Sequence, residues 1–490
     1  MPVAYRHKSE PMGLQDAVML WADSAERPLH VGGYFICKSP ARAEQDFARR
    51  LVATLRRHAV DVSPWNYRIA RATQRESSLL PYWEVAPNAD MRYHVVHHVL
   101  KRNGKHASLD ALIAQLHSER LDMNRPLWQY HIIEGLPERR FAVYHKVHHA
   151  LVDGFLGMQS FVRGTAGDSA ASMRPVWSSG RTRTRKPARS RRSTHALPSI
   201  ANILSDITTS GPPLLDALSR TLNAAAQQSS ALIGPCRAPM SLFNAQITSR
   251  RCIAASSLDL RVVKTIARVN SVTVNDVLLA ICGTALRRYL SEHRALPVAP
   301  LIALVPVALS RTDDEASGNR LGVMYASLGS DVRSASARLQ AVARSMQAGK
   351  FHLQALPERL RGVYCTAALA PALINLWAPA LGKPSGNVVI SNMHGPQEPR
   401  YLNHSLVEGV YPLSAIVSGI ALNITCVSYG DRLFMGLVAC PDVTPDLPRL
   451  ASFFGEAAEE LHTLSRARRS KPRQPRQRVN ALAQRPSSLG

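Results

Sequence analysis

The sequence lacks the features that mark a secreted or membrane-spanning chain. Its seven cysteines are odd in number and form no Cys-x-x-Cys pair, which favours reduced thiols in a cytosolic setting over a disulfide framework. Residues 1–8 lack the apolar core of a signal peptide. The best candidate for a membrane span, Cys365 to Gly382, is uncharged but contains two prolines and an asparagine. It predicts a buried or membrane-surface helix rather than a span.

Acidic residues are scarce, and the resulting positive charge is concentrated in two tracts. The chain has 60 Lys and Arg against 35 Asp and Glu, for a net charge of +25. Residues 181–192 contain seven basic residues, residues 466–490 contain eight, and neither tract contains an acidic residue. Both are rich in Pro, Ser and Gln, so we expect them to be disordered. No aromatic residues are interleaved for base stacking, so no nucleic-acid partner is expected. An anionic membrane surface and a merely solvated linker and tail both remain open.

The most informative stretch contains two adjacent histidines, His148 and His149. The residues before them, Arg140 to Tyr144, are aromatic and β-branched and predict a strand, and residues 155–162 have the apolar spacing of a short helix. The pair therefore lies where a strand ends, with His148 and His149 on opposite faces. Such a pair suits proton transfer, but it can also be ordinary polar surface. A metal site formed with His145 and Asp153 is excluded, because a strand separates His145 from His149 by about 13 Å.

The pattern His-His-x-x-x-Asp-Gly is accompanied by further motifs along the chain. They occur in a fixed order over roughly residues 11–465: Asp16, His30-Val31-Gly32, Arg125-Pro126-Leu127-Trp128, Ile133-Glu134-Gly135-Leu136, His148-His149 with Asp153-Gly154, Asn275-Asp276, Val305-Pro306-Val307, Asn387 to Asn392 with Gly395-Pro396, Tyr411-Pro412-Leu413-Ser414 and Leu422-Asn423-Ile424. In these motifs the chain resembles the bacterial wax ester synthase/acyl-CoA:diacylglycerol acyltransferases.

The resemblance implies an α/β (α+β) fold of two chloramphenicol-acetyltransferase-like halves, with the active site at their interface. We assign residues 11–165 to the N-terminal half, 166–197 to a basic disordered linker, 198–465 to the C-terminal half and 466–490 to a basic disordered tail. The implied reaction is transfer of a fatty acyl group from acyl-CoA, as co-substrate, to diacylglycerol or a long-chain alcohol. No cofactor or metal is expected. We expect a cytoplasmic enzyme in peripheral contact with anionic membrane or lipid inclusions.

The resemblance also assigns roles to individual residues. His149 is expected to be the general base, His148 to support its geometry, Asp153 to fix the loop through an arginine, and Gly154 to allow the tight exit into the helix. Asn275 is a candidate donor to the oxyanion. The chain contains no Gly-x-Ser-x-Gly turn, which disfavours a covalent acyl-enzyme. The expected substrate-binding residues are Pro126, Leu127, Trp128, Asp276, Ser391 and Asn392, although the first three can also pack the core and Asp276 can simply begin a helix.

The chain departs from the family pattern at two positions. His394 stands where the family usually has a proline, and Cys440 stands where it has an acidic residue. Because of these two departures, the substrate range remains open. Two alternatives also remain open: a catalytically idle lipid-binding relative, and an acyltransferase of the same fold acting on a polyketide or peptidyl thioester.

Overall fold

The computed structural model of the chain describes residues 9–70, 80–100, 106–152, 154–171, 173–179, 231–308, 321–357, 361, 364–365, 368–369 and 383–470. The strands in these ranges are β1 (Ser9–Pro11), β2 (His30–Lys38), β3 (Tyr67–Ile69), β4 (Tyr82–Val85), β5 (Val95–Val99), β6 (Trp128–Leu136), β7 (Arg140–His148), β8 (Cys252–Asp259), β9 (Ile302–Ala308), β10 (Leu321–Ser327), β11 (Val388–His394), β12 (Tyr401–Leu402), β13 (Ser405–Leu413), β14 (Leu422–Tyr429) and β15 (Arg432–Ala439). The helices are α1 (Leu14–Ala22), α2 (Phe47–Arg57), α3 (Met91–His94), α4 (His106–Ser118), α5 (Gly154–Gly164), α6 (Leu260–Asn270), α7 (Val274–Glu292), α8 (Ala335–Ala355) and α9 (Leu447–Ser470).

The strands form two six-stranded mixed sheets, one in each half, and a small three-stranded sheet. The N-terminal sheet has the order β12-β13-β2-β7-β6-β5, and the C-terminal sheet has the order β10-β9-β11-β14-β15-β8. In the first, β7 is central and antiparallel to both β2 and β6. In the second, β14 is buried along its whole length between β11 and β15. The two-half α/β architecture expected from the sequence is confirmed.

Two strands from late in the chain complete the sheet of the first half. β13 pairs antiparallel with β2 along its length, and β12 pairs with β13 at the sheet edge. β13 also packs against β14 and β15 of the other sheet. A shared apolar core follows, in which Val407 and Val410 lie with Val427 and Phe434 of the second half. Residues 401–413 therefore belong spatially to the N-terminal sheet, although the sequence placed them in the 198–465 half.

The segments assigned to a linker and a tail are partly folded. Trp177, within the predicted linker of residues 166–197, is only 1% exposed and stacks on Trp128 at 4.8 Å between ring centroids. Burying this indole provides a reason for residues 173–179 to pack on the N-terminal half. α9 likewise extends to Ser470, so the first residues of the predicted tail of 466–490 are helical. The prediction of disorder is wrong for these parts, and the remainder of both tracts lies outside the described residues.

The two elements predicted on either side of the histidine pair are confirmed. β7 and α5 form where the sequence predicted a strand and a short helix. Ahead of β5 lies the short helix α3, whose first turn is capped by Asp90, which accepts from the Arg92 N–H.

Among the described residues, no single helix has the length and apolar character needed to cross a bilayer. α6 and α7 together reach that composition, but they are bent by 104° relative to each other, and most side chains of α7 are buried in the C-terminal core. The apolar segment from Cys365 to Gly382 lies almost entirely outside the described residues.

Candidate active site

The histidine pair lies at the turn that ends β7. The backbone N–H of His148 donates to the Leu127 carbonyl at 2.9 Å, and that of His149 donates to the Leu29 carbonyl at 3.0 Å. The turn is therefore held by the residues that lead into β2 and β6. His148 is 1% exposed, whereas His149 is half-buried. The two rings consequently have different surroundings.

The ring of His148 is directed into the protein. Its Nδ1 accepts a hydrogen bond from the Ala150 N–H at 3.1 Å. In a neutral imidazole the proton then lies on Nε2, which is 3.6 Å from Oδ1 of Asp23. That distance is long for a hydrogen bond but close enough for electrostatic attraction. The role of His148 as a support for the geometry of the turn stays a prediction.

Asp23 is a site residue that the sequence analysis did not identify. Its side chain is 1% exposed, its Oδ1 accepts from the Leu29 N–H at 2.7 Å, and its Oδ2 accepts from Nε of Arg120. Burial raises the pKa of Asp23, but the His148 ring, the Leu29 N–H and Arg120 outweigh it, so the pKa lies below its ordinary value. No motif marks this carboxylate, and only the fold reveals that it lies beside the histidines.

The carboxylate of Asp23 is linked to both histidines. It faces the His148 ring directly, and it bonds to the N–H of Leu29, whose carbonyl accepts from the His149 N–H. The short path from Asp23 through Leu29 to His149 is made of hydrogen bonds of 2.7 and 3.0 Å. One buried carboxylate is therefore connected to both histidines of the turn.

A buried lysine holds the neighbouring helix end. Lys146 lies on the same face of β7 as His148, is 0% exposed, and donates from Nζ to the carbonyls of Leu116 and Glu119 at 2.8 and 2.9 Å. These carbonyls lie at the end of α4, where unpaired acceptors need donors. Burial lowers the pKa of Lys146 to about 8. The contact fixes the chain just before Arg120.

The rest of the His-His-x-x-x-Asp-Gly motif is described in part. Gly154 begins α5, and its role in a tight exit from the turn stays a prediction. Asp153 lies outside the described residues, so its role stays a prediction. His145 faces away from His148 and packs near Trp65 and Tyr130, with ring centroids 5.2 and 5.6 Å away. Burial lowers the pKa of His145 to about 4.

The Pro126-Leu127-Trp128 motif packs the N-terminal core. All three residues are buried, and Leu127 and Trp128 are 0% exposed. The indole Nε1 of Trp128 donates to the Trp65 carbonyl at 2.8 Å, and its ring lies between His94 and Trp177. The motif also contacts the histidine turn, because the Leu127 carbonyl accepts from the His148 N–H. Of the two roles considered from the sequence, the structure favours packing.

The second half contributes two asparagines that the sequence predicted separately. Nδ2 of Asn392, on β11, donates to Oδ1 of Asn275, in the first turn of α7, at 3.4 Å. Ser391 precedes Asn392 on the same strand, where it pairs with Thr425 of β14. β11 packs against α5, the helix that follows the histidine turn. The motifs of the two halves therefore meet at one interface.

The side chain of Asp276 caps the start of α7. Its Oδ2 accepts from the Thr273 N–H at 2.8 Å, and the Thr273 hydroxyl accepts from the Asp276 N–H at 3.2 Å. This reciprocal pair is a capping box at the start of α7. The side chain is 5% exposed, and its carboxylate lies at the positive end of the helix dipole. The helix-start interpretation of Asp276 explains its described contacts.

The structure shows the surroundings of both departures from the family pattern, His394 and Cys440. After His394, the Gly395 N–H donates to the Ser428 carbonyl at 3.0 Å, and a Cβ at Gly395 would lie 2.4 Å from that oxygen. The close approach at this position requires glycine. Cys440 is 0% exposed, and its Sγ lies 3.7 Å from Oδ2 of Asp442. An acidic side chain is thus present two residues beyond Cys440.

The two sheets, their shared interface and the histidine turn define a CoA-dependent acyltransferase fold. Residues 12–278 match the wax ester synthase/diacylglycerol acyltransferase catalytic domain, and residues 317–462 match the WS/DGAT C-terminal domain. The chain belongs to the wax ester synthase/diacylglycerol acyltransferase family. It is an O-acyltransferase that transfers acyl groups to diacylglycerol or an alcohol.

Individual proteins show the same relationship. A probable diacylglycerol O-acyltransferase, tgs2, of Mycobacterium tuberculosis is 35% identical over 91% of this chain and 97% of its own length. The wax ester synthase/diacylglycerol acyltransferase of Marinobacter aquaeolei VT8 superposes with a TM-score of 0.75 at 31% identity, over 93% of this chain and 99% of its own. The starter condensation domain of rhizomide synthetase, solved with C8-CoA, has a TM-score of 0.54 at 14% identity over 94% of each chain, and shares the fold alone.

Proposed function

We propose that the chain transfers a fatty acyl group directly from acyl-CoA to the acceptor hydroxyl, with His149 as the general base. The observation that carries this assignment is the difference between the paired histidines. The His148 ring is turned inward, with Nδ1 bonded to the Ala150 N–H and Nε2 directed at Asp23. His149 is half-buried in the turn that follows β7. This difference supports the ring of His149 as the one that exchanges a proton with a substrate.

The reaction then proceeds in two proton transfers. The His149 imidazole takes the proton of the acceptor hydroxyl as its oxygen attacks the thioester carbonyl. The resulting tetrahedral intermediate collapses with loss of the CoA thiolate, which takes the proton back from His149. Because the imidazole returns to its starting state, the overall reaction consumes no base and needs no covalent acyl-enzyme.

Asn275 is proposed to stabilise the oxyanion of the intermediate. Its Oδ1 already accepts from Asn392, which directs the two N–H bonds of its Nδ2 away from that partner. An amide donor held in this way, at the start of a helix, is preorganised for developing negative charge. Asn392, and Ser391 beside it, are proposed to position Asn275 and the substrate. The Asp153 loop is proposed to hold the turn in register with them.

The proposal also includes attachment of the enzyme to a lipid surface. Both diacylglycerol and long-chain alcohols are poorly soluble, so an enzyme at a membrane or inclusion surface meets them at higher local concentration. The basic tracts of residues 181–192 and 466–490 supply positive charge suited to anionic lipid. We propose that they hold the enzyme at that surface peripherally.

The test compares His149→Ala with His148→Ala in thiol release from palmitoyl-CoA, using hexadecanol or a diacylglycerol as acceptor. Loss of a general base lowers the rate about 10²- to 10⁴-fold. We expect such a loss in His149→Ala with an unchanged melting temperature. His148→Ala should lose stability and retain more activity. A His149→Ala rate close to that of the wild type contradicts the assignment, and absence of thiol release from the wild type favours an idle lipid-binding protein.

A further inference from the structure

An arginine from the second half of the chain holds the C-terminal end of α5. Arg400 lies in the connection between β11 and β12, and its Nε donates to Oγ1 of Thr165 at 3.0 Å. Its Nη2 donates to the carbonyls of Val162 and Thr165. The last carbonyls of a helix have no partner within the helix, and a cationic donor is favourable there. Arg400 therefore supplies the end of α5 with donors from a distant part of the chain.

The backbone that carries Arg400 is anchored on both sides. The Arg400 N–H donates to the hydroxyl of Tyr429 at 2.8 Å, and Tyr429 ends β14 of the C-terminal sheet. The next residue, Tyr401, exchanges two hydrogen bonds of 2.8 Å with the backbone of Ala166, which lies just beyond α5. This bridge between Tyr401 and Ala166 does not involve the guanidinium. Removing the Arg400 side chain should therefore free the end of α5 without separating the two segments.

The two segments that Arg400 joins lead to the two parts of the candidate active site. α5 starts at Gly154, directly after the turn that contains His149. The connection with Arg400 follows β11, which carries Asn392, and Asn392 donates to Oδ1 of Asn275 at 3.4 Å. In the proposed mechanism the base belongs to the first half and the oxyanion donor to the second. Their relative position therefore depends on the contacts that join α5 to β11 and to the connection after it.

We infer that Arg400 is a positioning residue, which holds α5 against the C-terminal half and thereby keeps His149 in place relative to Asn275. The inference rests on the proposed function, because it needs a base and an oxyanion donor on different halves. The described contacts of the guanidinium lie at the far end of α5 from the histidine turn, about 15 Å along the helix, so Arg400 acts through α5. A misplacement of about 1 Å between reacting groups can lower a rate about 100-fold.

The experiment compares Arg400→Ala with Arg139→Ala in the full-length enzyme. Arg139 is a matched control because its guanidinium also donates to backbone carbonyls, those of Pro40, Ala41 and Ala43. It directly precedes β7, at the opposite end of that strand from the histidine turn. The melting temperature, kcat and the KM for palmitoyl-CoA are measured for each variant, with hexadecanol as the acceptor.

Both alanine variants should melt below the wild type, but only one should lose catalytic rate. The kcat of Arg400→Ala should fall about 10- to 100-fold while the KM for palmitoyl-CoA changes less than about threefold. Arg139→Ala should keep the wild-type kcat. Arg400→Lys keeps a cationic donor for the helix carbonyls but lacks the guanidinium fork, so it should restore the melting temperature and part of the kcat. Should Arg400→Ala not fold, Arg400→Lys and Arg139→Lys provide the same comparison.

A double-mutant cycle with Asn275→Ala separates positioning from simple destabilisation. When the Asn275 amide is already absent, Arg400→Ala should lower kcat less than about threefold, because coupled residues have non-additive effects. Given that Asn275→Ala lowers kcat, a loss from Arg400→Ala that is equal in both backgrounds overturns the inference. Equal losses of kcat in Arg400→Ala and Arg139→Ala also overturn it. An Asn275→Ala enzyme with the wild-type kcat refutes the proposed oxyanion donor, whereas a loss of kcat confined to Arg400→Ala then still supports Arg400 as a positioning residue for His149.

Discussion

Replacing Asp23 tests whether a buried carboxylate orients the histidine turn. Asp23→Ala removes the acceptor of the Leu29 N–H, the partner of Arg120 and the charge that faces His148. We expect a lower free energy of unfolding together with a lower kcat. Because Asp23 acts through the turn and contacts no substrate in the proposed mechanism, KM for acyl-CoA should change little.

The structure sets the size of the effect on stability. A buried N–H left without an acceptor costs about 1–3 kcal/mol, and this applies to Leu29. Breaking a fully buried ion pair costs about 3–5 kcal/mol, but the Arg120 side chain is 40% exposed and regains water, so its share is smaller. We therefore expect a total of about 2–4 kcal/mol for Asp23→Ala. Asp23→Asn keeps an acceptor for Leu29, so it should cost about 1–2 kcal/mol and restore most of the lost kcat.

The sign of the pH dependence follows from the lowered pKa of Asp23. A carboxylate whose pKa falls on folding contributes stability above its unfolded pKa of about 3.9, and this contribution is lost as the pH falls through the folded pKa. The difference between wild type and Asp23→Asn should thus persist at pH 6 to 7. Urea unfolding measures the free energy of unfolding, and initial rates measure kcat. Asp46→Ala is the control, because the Asp46–Arg50 pair is exposed and worth at most about 1 kcal/mol. An alanine variant with wild-type kcat, or an asparagine variant no better than alanine, refutes the reasoning.

Three further predictions concern the oxyanion donor, acid stability and the basic tracts. Asn275→Ala should lower kcat about 10²- to 10³-fold with KM nearly unchanged, and steady-state kinetics showing only a raised KM would argue for a binding role. Burial lowers the pKa values of His94, His117 and His131 to about 4, 3 and 2. Below pH 6.5 the unfolded chain therefore binds protons that the folded chain does not. The free energy of unfolding should fall by about 1.4 kcal/mol per pH unit for each of these histidines. Urea midpoints that stay constant from pH 7 to 5 would exclude this. Deleting residues 466–490 and neutralising 181–192 should reduce sedimentation with anionic vesicles in a salt-dependent way while activity on detergent-dispersed substrate remains; equal, salt-insensitive binding would contradict that role.

Local sequence patterns were sufficient to predict the elements around the site. Aromatic and β-branched residues predicted β7, helical spacing predicted α5, and the motifs assigned His148, His149, Asn275 and Asn392 to the candidate site. These signals are local because backbone periodicity and turn chemistry depend on residues a few positions apart. The order of the motifs was enough to indicate the family and the two-half fold. The sequence also ranked His149 above His148, but only through the resemblance.

Tertiary structure alone decided the features that depend on distant parts of the chain. Asp23 and Arg120 are separated by 97 positions, and neither belongs to a motif, yet they meet beside His148. The return of β12 and β13 to the first sheet and the packing of Trp177 on Trp128 are equally non-local. What lies opposite each side chain determines which way the His148 ring points. It also determines whether Pro126-Leu127-Trp128 packs a core or binds substrate. Burial and partner choice are properties of the assembled fold, because a side chain's neighbours across sheets and helices have no fixed spacing in the sequence.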